Sequence, residues 1–131
     1  MSNLRKNERL SSQKEISYLI KDGNAFQCYP FRIIWTITSN NQVAFFHLKA
    51  EFSLNKKKKK KAVQRNTIRR RMKEAFRLNK ETFKKDLKSY PYKLSLLIIY
   101  TPANELNYAK IEAGMKKVLQ ILRKQIAEKT Q

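Results

Sequence analysis

The stretch FHLKAEFSLNKKKKKKAVQRNTIRRRMKEAFR, residues 46–77, runs without interruption from a strand pattern through six lysines into a helix pattern. Phe46, Leu48, Ala50, Phe52 and Leu54 alternate with His47, Lys49, Glu51 and Ser53, which is the period of a strand with one apolar and one polar face. Beyond the lysines the period changes. Arg65, Arg69 and Lys73 fall at i, i+4 and i+8, so an α-helix stacks them along one stripe, and Asn66, Arg70 and Arg77 widen it. Ile68, Met72, Ala75 and Phe76 fall on the opposite side and are available to a core. The helix is expected from about Ala62 to Asn79, with its cations fixed on a rigid element rather than carried on a tail.

Reading outward from this segment, Ser12 and Glu15 form a capping-box pair that starts a first helix. Ile16, Leu19 and Ile20 give its apolar stripe, and Gly23 is expected as a left-handed C-terminal stop. Pro30 opens FRIIWTIT, an aromatic and β-branched strand that Ser39, Asn40 and Asn41 end in a turn. After the basic helix, KETFKKDLKS reads as no more than a short helical turn, and Tyr90, Pro91 and Tyr92 break the pattern. Leu94 to Tyr100 is nearly all apolar, as a central strand covered on both faces would be, and Pro102 stops it. From Asn107, an N-cap, Ile111, Met115, Val118, Leu119, Leu122 and Ile126 hold helical spacing over about five turns. The order α-β-β-α-β-α, without an internal repeat, predicts an α+β fold: one domain over residues 1–131, a mixed sheet with helices packed on it, and flexible ends at 1–8 and 127–131.

Charge bounds the function. Thirty Lys and Arg against ten Asp and Glu leave +20 on 131 residues, a self-repulsion that favours a polyanionic partner. A content of 41 % hydrophobic residues suffices for one core and argues against disorder throughout. Cys28 is the only cysteine and is read as a small buried or half-buried residue, while His47 is read as a strand residue. The two cannot assemble a zinc site or a disulfide framework. The N-terminus has no apolar h-region, and the Leu94 to Tyr100 run is too short to span a bilayer, so a soluble protein of a reducing compartment, the cytoplasm, is expected. No Ser/His/Asp or Cys/His set and no paired carboxylates stand at useful spacing, which argues against a protein-borne hydrolase.

A basic helix face is often only solvated. Six adjacent lysines, however, repel one another strongly unless phosphates neutralise them. Planar guanidinium groups fork onto phosphates, so geometry is assigned to Arg65, Arg69 and Arg70 and bulk attraction to Lys56 to Lys61. Asn66 either hydrogen-bonds a ribose, base edge or backbone, or holds the helix N-terminus in shape.

The segment AVQRNTIRRRMKEAFR, residues 62–77, resembles the protein component of bacterial ribonuclease P, whose helix follows the pattern AVxRNRhKRxxRE. Ala62, Val63, Arg65, Asn66, Ile68, Arg69, Arg70, Lys73 and Glu74 match it, some by conservative replacement. Arg9 and Leu10 ahead of the first helix, the apolar strand before the lysines and the ending NYAKIEAGMKKVL extend the resemblance over nearly the whole chain. Thr67 stands where the family has the second Arg of Arg-Asn-Arg, Lys59 and Lys60 replace an apolar residue and a glycine, and Arg71 takes a usually apolar position, read as a side chain snorkelling at the core edge.

The resemblance implies an α/β sandwich of ribosomal-protein-like form with a left-handed βαβ crossover, contrary to the usual right-handed rule. It implies an accessory subunit of an endoribonuclease, a hydrolase of tRNA processing whose catalytic centre lies in a partner RNA. That RNA would use Mg2+, held through RNA and substrate, to remove the 5′ leader of precursor tRNA. Lys56, Lys57, Lys58, Lys61, Arg65, Asn66, Arg69, Arg70 and Lys73 would bind RNA. A cleft of Arg9, Ile16, Ile20, Arg32 and Ile34 would grip the single-stranded leader, with aliphatic side chains where relatives carry aromatics. Phe31 and Trp35 belong to core or cleft, and core is favoured because aromatics in strands are the usual means of burying area. The alternative is a structural RNA-binding protein such as a ribosomal component. A helix-turn-helix reader of DNA lacks its partner helix.

Overall fold

The computed structural model describes residues 13–39, 47–54, 61–85, 87 and 92–130. Three helices and four strands follow in the order α1 (Gln13–Asp22), β1 (Asn24–Cys28), β2 (Phe31–Ser39), β3 (His47–Leu54), α2 (Ala62–Lys85), β4 (Tyr92–Tyr100) and α3 (Tyr108–Thr130). The strands form one mixed sheet in the order β1-β2-β4-β3, antiparallel except for the β3/β4 pair. Helix α2 is the crossover that joins those two parallel neighbours.

Register decides which side chains share a face. Phe26, Ile33, Ile98 and Phe52 make one cross-strand row, and Trp35, Leu96 and Ala50 another, both directed into a core roofed by α2 and α3. Ile68, Met72, Ala75 and Phe76 of α2 and Ile111, Met115, Val118, Leu122 and Ile126 of α3 complete it, as their spacing predicts. Phe31 and Trp35 are core residues, and the Trp35 indole N–H donates to Gln125 Oε1 at 3.0 Å. Burying one such large apolar side chain contributes about 1.5–3 kcal/mol. On the opposite face Ile34 and Leu97 pair across β2 and β4 and are covered by Leu19 of α1, with Ile16 and Ile99 beside them.

Four details depart from the sequence reading. Strand β1 was not foreseen; it pairs with β2 through a turn at Tyr29 and Pro30, whose peptide bond is cis. Gly23 ends α1 and its N–H bonds the Leu19 carbonyl at 2.8 Å, but its φ is not positive. Space, not handedness, requires glycine there, since a Cβ would stand 2.5 Å from the Leu19 oxygen and 2.7 Å from Ile34 Cγ2. Helix α2 does not stop at Asn79. The Asn79 amide bonds the Ala75 carbonyl at 2.7 Å within the helix, and the next turns bury Phe83, with Leu87 just beyond, so packing carries the helix through the stretch read as a separate turn. Helix α3 runs to Thr130, so 127–130 are helical, and Lys129 near its end bonds Asn24 Oδ1 at 3.0 Å and lies over the Trp35 ring.

Two bounds shift as well: Ser39, read as part of a turn, is the last residue of β2, and Tyr92, read as a break, is the first of β4. Asn107 caps α3, its Oδ1 accepting from the Lys110 N–H at 2.9 Å. Strand β4 is covered on both faces, and β3 buries Leu48, Ala50, Phe52 and Leu54. Ser12, the Asn40–Asn41 turn, Arg9 and Lys56 to Lys60 lie outside the described residues.

Candidate nucleic-acid interface

Helix α2 presents the cations. The core fixes its rotation, because Ile68, Met72, Ala75 and Phe76 are all fully buried, and Arg65, Arg69 and Lys73 run along the border of that buried face, rather than opposite it as the sequence reading had them, as half-buried side chains. Asn66 and Arg70 beside them are exposed. The first turn of α2 contains no acidic residue. Lys61 sits at the N-cap, where the Gln64 amide oxygen accepts from its backbone N–H at 3.2 Å, a capping contact the sequence pattern did not bring out. The helix dipole adds positive potential at this end. Val63, 76 % exposed in the same turn, gives the cationic face one apolar contact point.

Not every charge of the stripe is equally available. Arg77 is tied to Glu74 by contacts of 2.6 and 3.1 Å, and the Arg77 hydrogen bond holds the Glu74 carboxyl below its usual range. Thr67 turns its hydroxyl back onto the Val63 carbonyl at 3.0 Å and projects no charge. Arg71 does not merely snorkel. It donates to the Leu106 carbonyl at 2.8 Å and to Glu105 Oε2 at 3.1 Å, fastening α2 to the loop between β4 and α3. The buried Tyr100 hydroxyl completes that fastening by donating to the Asn104 carbonyl and accepting from the Leu106 N–H, and burial pushes its phenol pKa up.

The second surface lies between α1 and the sheet. Arg32 is exposed at one end of it and shares its strand face with Ile34, as expected. Ile34 itself is only 6 % exposed because Leu19, which the cleft assignment did not include, sits on it. Ile16 packs against the same trio, and Ile20 points outward at 62 % exposure. The expected cleft residues are therefore split: Ile16 and Ile34 form a small sealed cluster, while Ile20 and Arg32 remain accessible.

A four-stranded mixed sheet with a basic crossover helix can be set beside known proteins. The Ribonuclease P family model matches residues 4–123. The chain belongs to the ribonuclease P protein component family. It is 30 % identical over 116 residues to the ribonuclease P protein component of Porphyromonas gingivalis, covering 88 % of this chain and 83 % of that one. Among solved structures, the ribonuclease P protein of Staphylococcus aureus superposes with a TM-score of 0.64 at 21 % identity over 89 % of this chain and 96 % of that one. That of Thermotoga maritima gives 0.64 at 20 % identity over 86 % and 94 %. These likenesses carry the fold, and the family makes the chain the protein component of an endoribonuclease of tRNA processing.

Proposed function

We propose that this chain is an accessory subunit: α2 and the lysines ahead of it bind a catalytic ribonuclease P RNA, and the α1 side of the sheet holds the 5′ leader of precursor tRNA. The single observation that carries the reading is the cationic stripe of Arg65, Arg69, Arg70 and Lys73 on a helix that Ile68, Met72, Ala75 and Phe76 lock into the core. Phosphate contacts made by residues on a rigid element fix register as well as supplying attraction. Arg65, Arg69 and Arg70 orient phosphates, Asn66 hydrogen-bonds ribose or base, and Lys56, Lys57, Lys58, Lys61 and Lys73 add field. On the leader side Arg32 neutralises backbone, Ile20 offers apolar surface, and Arg9, Ile16 and Ile34 support the cleft.

Cleavage chemistry is assigned to the RNA. Among the described residues no three His, Cys, Asp or Glu side chains converge to hold a metal ion. The magnesium ion is assigned to RNA and substrate phosphates. The protein's contribution is binding and orientation, which lowers the magnesium needed to hold two polyanions together. No helix among the described residues is long and apolar enough to cross a membrane, and the reading places the protein with its RNA in the cytoplasm.

Purified protein mixed with the ribonuclease P RNA of its own organism and a precursor tRNA at low millimolar magnesium tests this. Leader release at the correct site, well above RNA alone, is the expected result. Tight RNA binding that never promotes cleavage would instead favour a structural RNA-binding role such as that of a ribosomal component.

A further inference from the structure

The turn between β1 and β2 is fastened from two sides. The Pro30 carbonyl accepts from the Thr101 N–H at 3.1 Å and from the Thr101 hydroxyl at 3.2 Å, which ties the turn to the end of β4. On the other side α3 rests on it through Gly114, where a Cβ would meet Pro30 Cδ and stand 3.1 Å from the Tyr29 carbonyl oxygen. Pro30 is buried by these contacts, yet Tyr29 beside it is 71 % exposed, the most exposed aromatic side chain among the described residues. Lys110, Gly114 and Lys117 stand at i, i+4 and i+7, so the stripe of α3 that meets the turn carries an exposed lysine about one helical turn to either side of it. Lys117 is near enough to Cys28, the residue before Tyr29, for its charge to oppose the upward push that burial gives the thiol. Among the described residues neither lysine is held in an ion pair.

We infer that Tyr29, Lys110 and Lys117 form a second contact with the ribonuclease P RNA, in which an unpaired nucleotide stacks its base on the Tyr29 ring and sets its flanking phosphates on the two lysines. The inference rests on the RNA-binding reading above and adds a surface to it. Aromatic platforms beside cations hold unpaired nucleotides, and every base has a face to stack. The mount is fixed before RNA arrives, so little ordering cost offsets the stack. Position selects the catalytic RNA as the source of the nucleotide. Helix α3 packs over β1 and β2 and helix α2 beside β3. Arg71 marks the border of α2 that faces the start of α3, and Arg65, Arg69 and Lys73 mark the other border. The Tyr29 site and that cationic stripe therefore flank one helical layer, roughly 20 Å apart, the width of two packed helices. A large folded RNA that grips α2 spans both borders, whereas the leader is assigned to the opposite face of the sheet.

The test measures binding of the intact protein to the ribonuclease P RNA alone, without substrate, over a range of salt. Tyr29→Ala should weaken binding about tenfold, while Tyr29→Phe, which keeps the ring, stays near wild type. Lys117→Gln should weaken it a few-fold and flatten the log–log salt slope by about 0.7, the loss of one single-strand phosphate contact. Because Tyr29 is largely exposed, thermal melts of all three variants should coincide with that of wild type. The double variant Arg65→Ala, Arg69→Ala is the reference for α2. If the double variant loses affinity and Tyr29→Ala does not, the second contact is overturned and the α2 reading stands. If neither loses affinity, both fall together. A loss with Tyr29→Phe as large as with Tyr29→Ala means that the ring does not stack, and also overturns the assignment. If Tyr29→Ala binds the RNA normally but the reconstituted holoenzyme loses affinity for precursor tRNA, the ring serves the substrate and not the catalytic RNA.

Discussion

The two faces of the sheet are built to different standards. One is roofed by α2 and α3, helices of 24 and 23 residues, and its core runs from Phe31 to Ile126 with Trp35, Phe76 and Tyr100 buried in it. The other is covered by the ten-residue α1, with Leu19, Ile34 and Leu97 as its only fully buried cluster among the described residues. Stability resides on the thick face, and the thin face is left open enough to admit a ligand. The cationic stripe of α2 draws on the first arrangement, because a helix anchored by Ile68, Met72, Ala75, Phe76 and Phe83 is held against rotation.

Truncation distinguishes the faces most sharply. Phe76→Ala should cost about 4 kcal/mol of unfolding free energy, since an aromatic deleted from a closed core leaves a cavity the two long helices cannot fill. Leu19→Ala should cost about 2 kcal/mol, because a single short helix can settle inward. Urea denaturation measures both. Equal losses would mean that α1 is as integral as the main core and that the contrast between the faces is wrong.

The stripe should behave in the opposite way. Replacing Arg65 and Arg69 together by Ala removes charge-assisted contacts worth roughly 1.5–3 kcal/mol each, so affinity for the catalytic RNA should fall by about 100-fold with far-UV circular dichroism unchanged. Turnover at limiting magnesium should fall with it. Changing Lys56 to Lys61 to Gln should chiefly flatten the salt dependence, by about 0.7–0.9 in log–log slope for each phosphate no longer contacted. Unaltered affinity in the first variant removes α2 from the interface, and an unaltered slope in the second leaves the lysines pointing into water.

Glycines sample the two faces again at lower cost. A Cβ on Gly114 of α3 would meet Pro30 Cδ and stand 3.1 Å from the Tyr29 carbonyl, against the turn between β1 and β2. Gly114→Ala should lose about 2 kcal/mol by overpacking the thick face. Gly23→Ala forces α1 away from Ile34 and should lose about 1 kcal/mol while weakening precursor tRNA binding, which a thermal melt and a binding titration separate. The reverse outcome, a large melt shift for Gly23→Ala alone, would place the rigid scaffold on the α1 side.

How much of this could be read beforehand follows from what each residue's neighbours are. The period of residues 48–54, the stripe of α3 and the apolar face of α2 depend on local spacing, and they came out as read. Strand β1 is five residues whose inward side, Asn24, Phe26 and Cys28, carries two apolar residues, too short for periodicity to register. The length of α2 was hidden because Asn79 and Lys80 look like an end, while the reason to continue, burial of Phe83 and Leu87, depends on elements distant in sequence. The α1 side was least legible. Whether Ile34 is open or covered depends on how closely Gly23 lets α1 approach.

Arg71 gives the finest test of the division between scaffold and interface, because it is an arginine in the middle of the helix proposed to bind RNA that the geometry assigns to the scaffold. Its guanidinium bonds the Leu106 carbonyl and Glu105 on the loop leading into α3. The ion pair is about one-third exposed on both sides, so its own worth is small, and most of the effect should come from the carbonyl contact. Arg71→Ala should therefore lose about 1 kcal/mol of stability, and Glu105→Gln about half of that or less. Neither should change affinity for the catalytic RNA or the slope of its salt dependence, although Arg71→Ala removes as much charge from α2 as Arg70→Ala does. A loss of affinity with Arg71→Ala comparable to that with Arg70→Ala would mean that the guanidinium leaves its loop contacts to meet phosphate, and that α2 offers RNA a wider face than its packing alone defines.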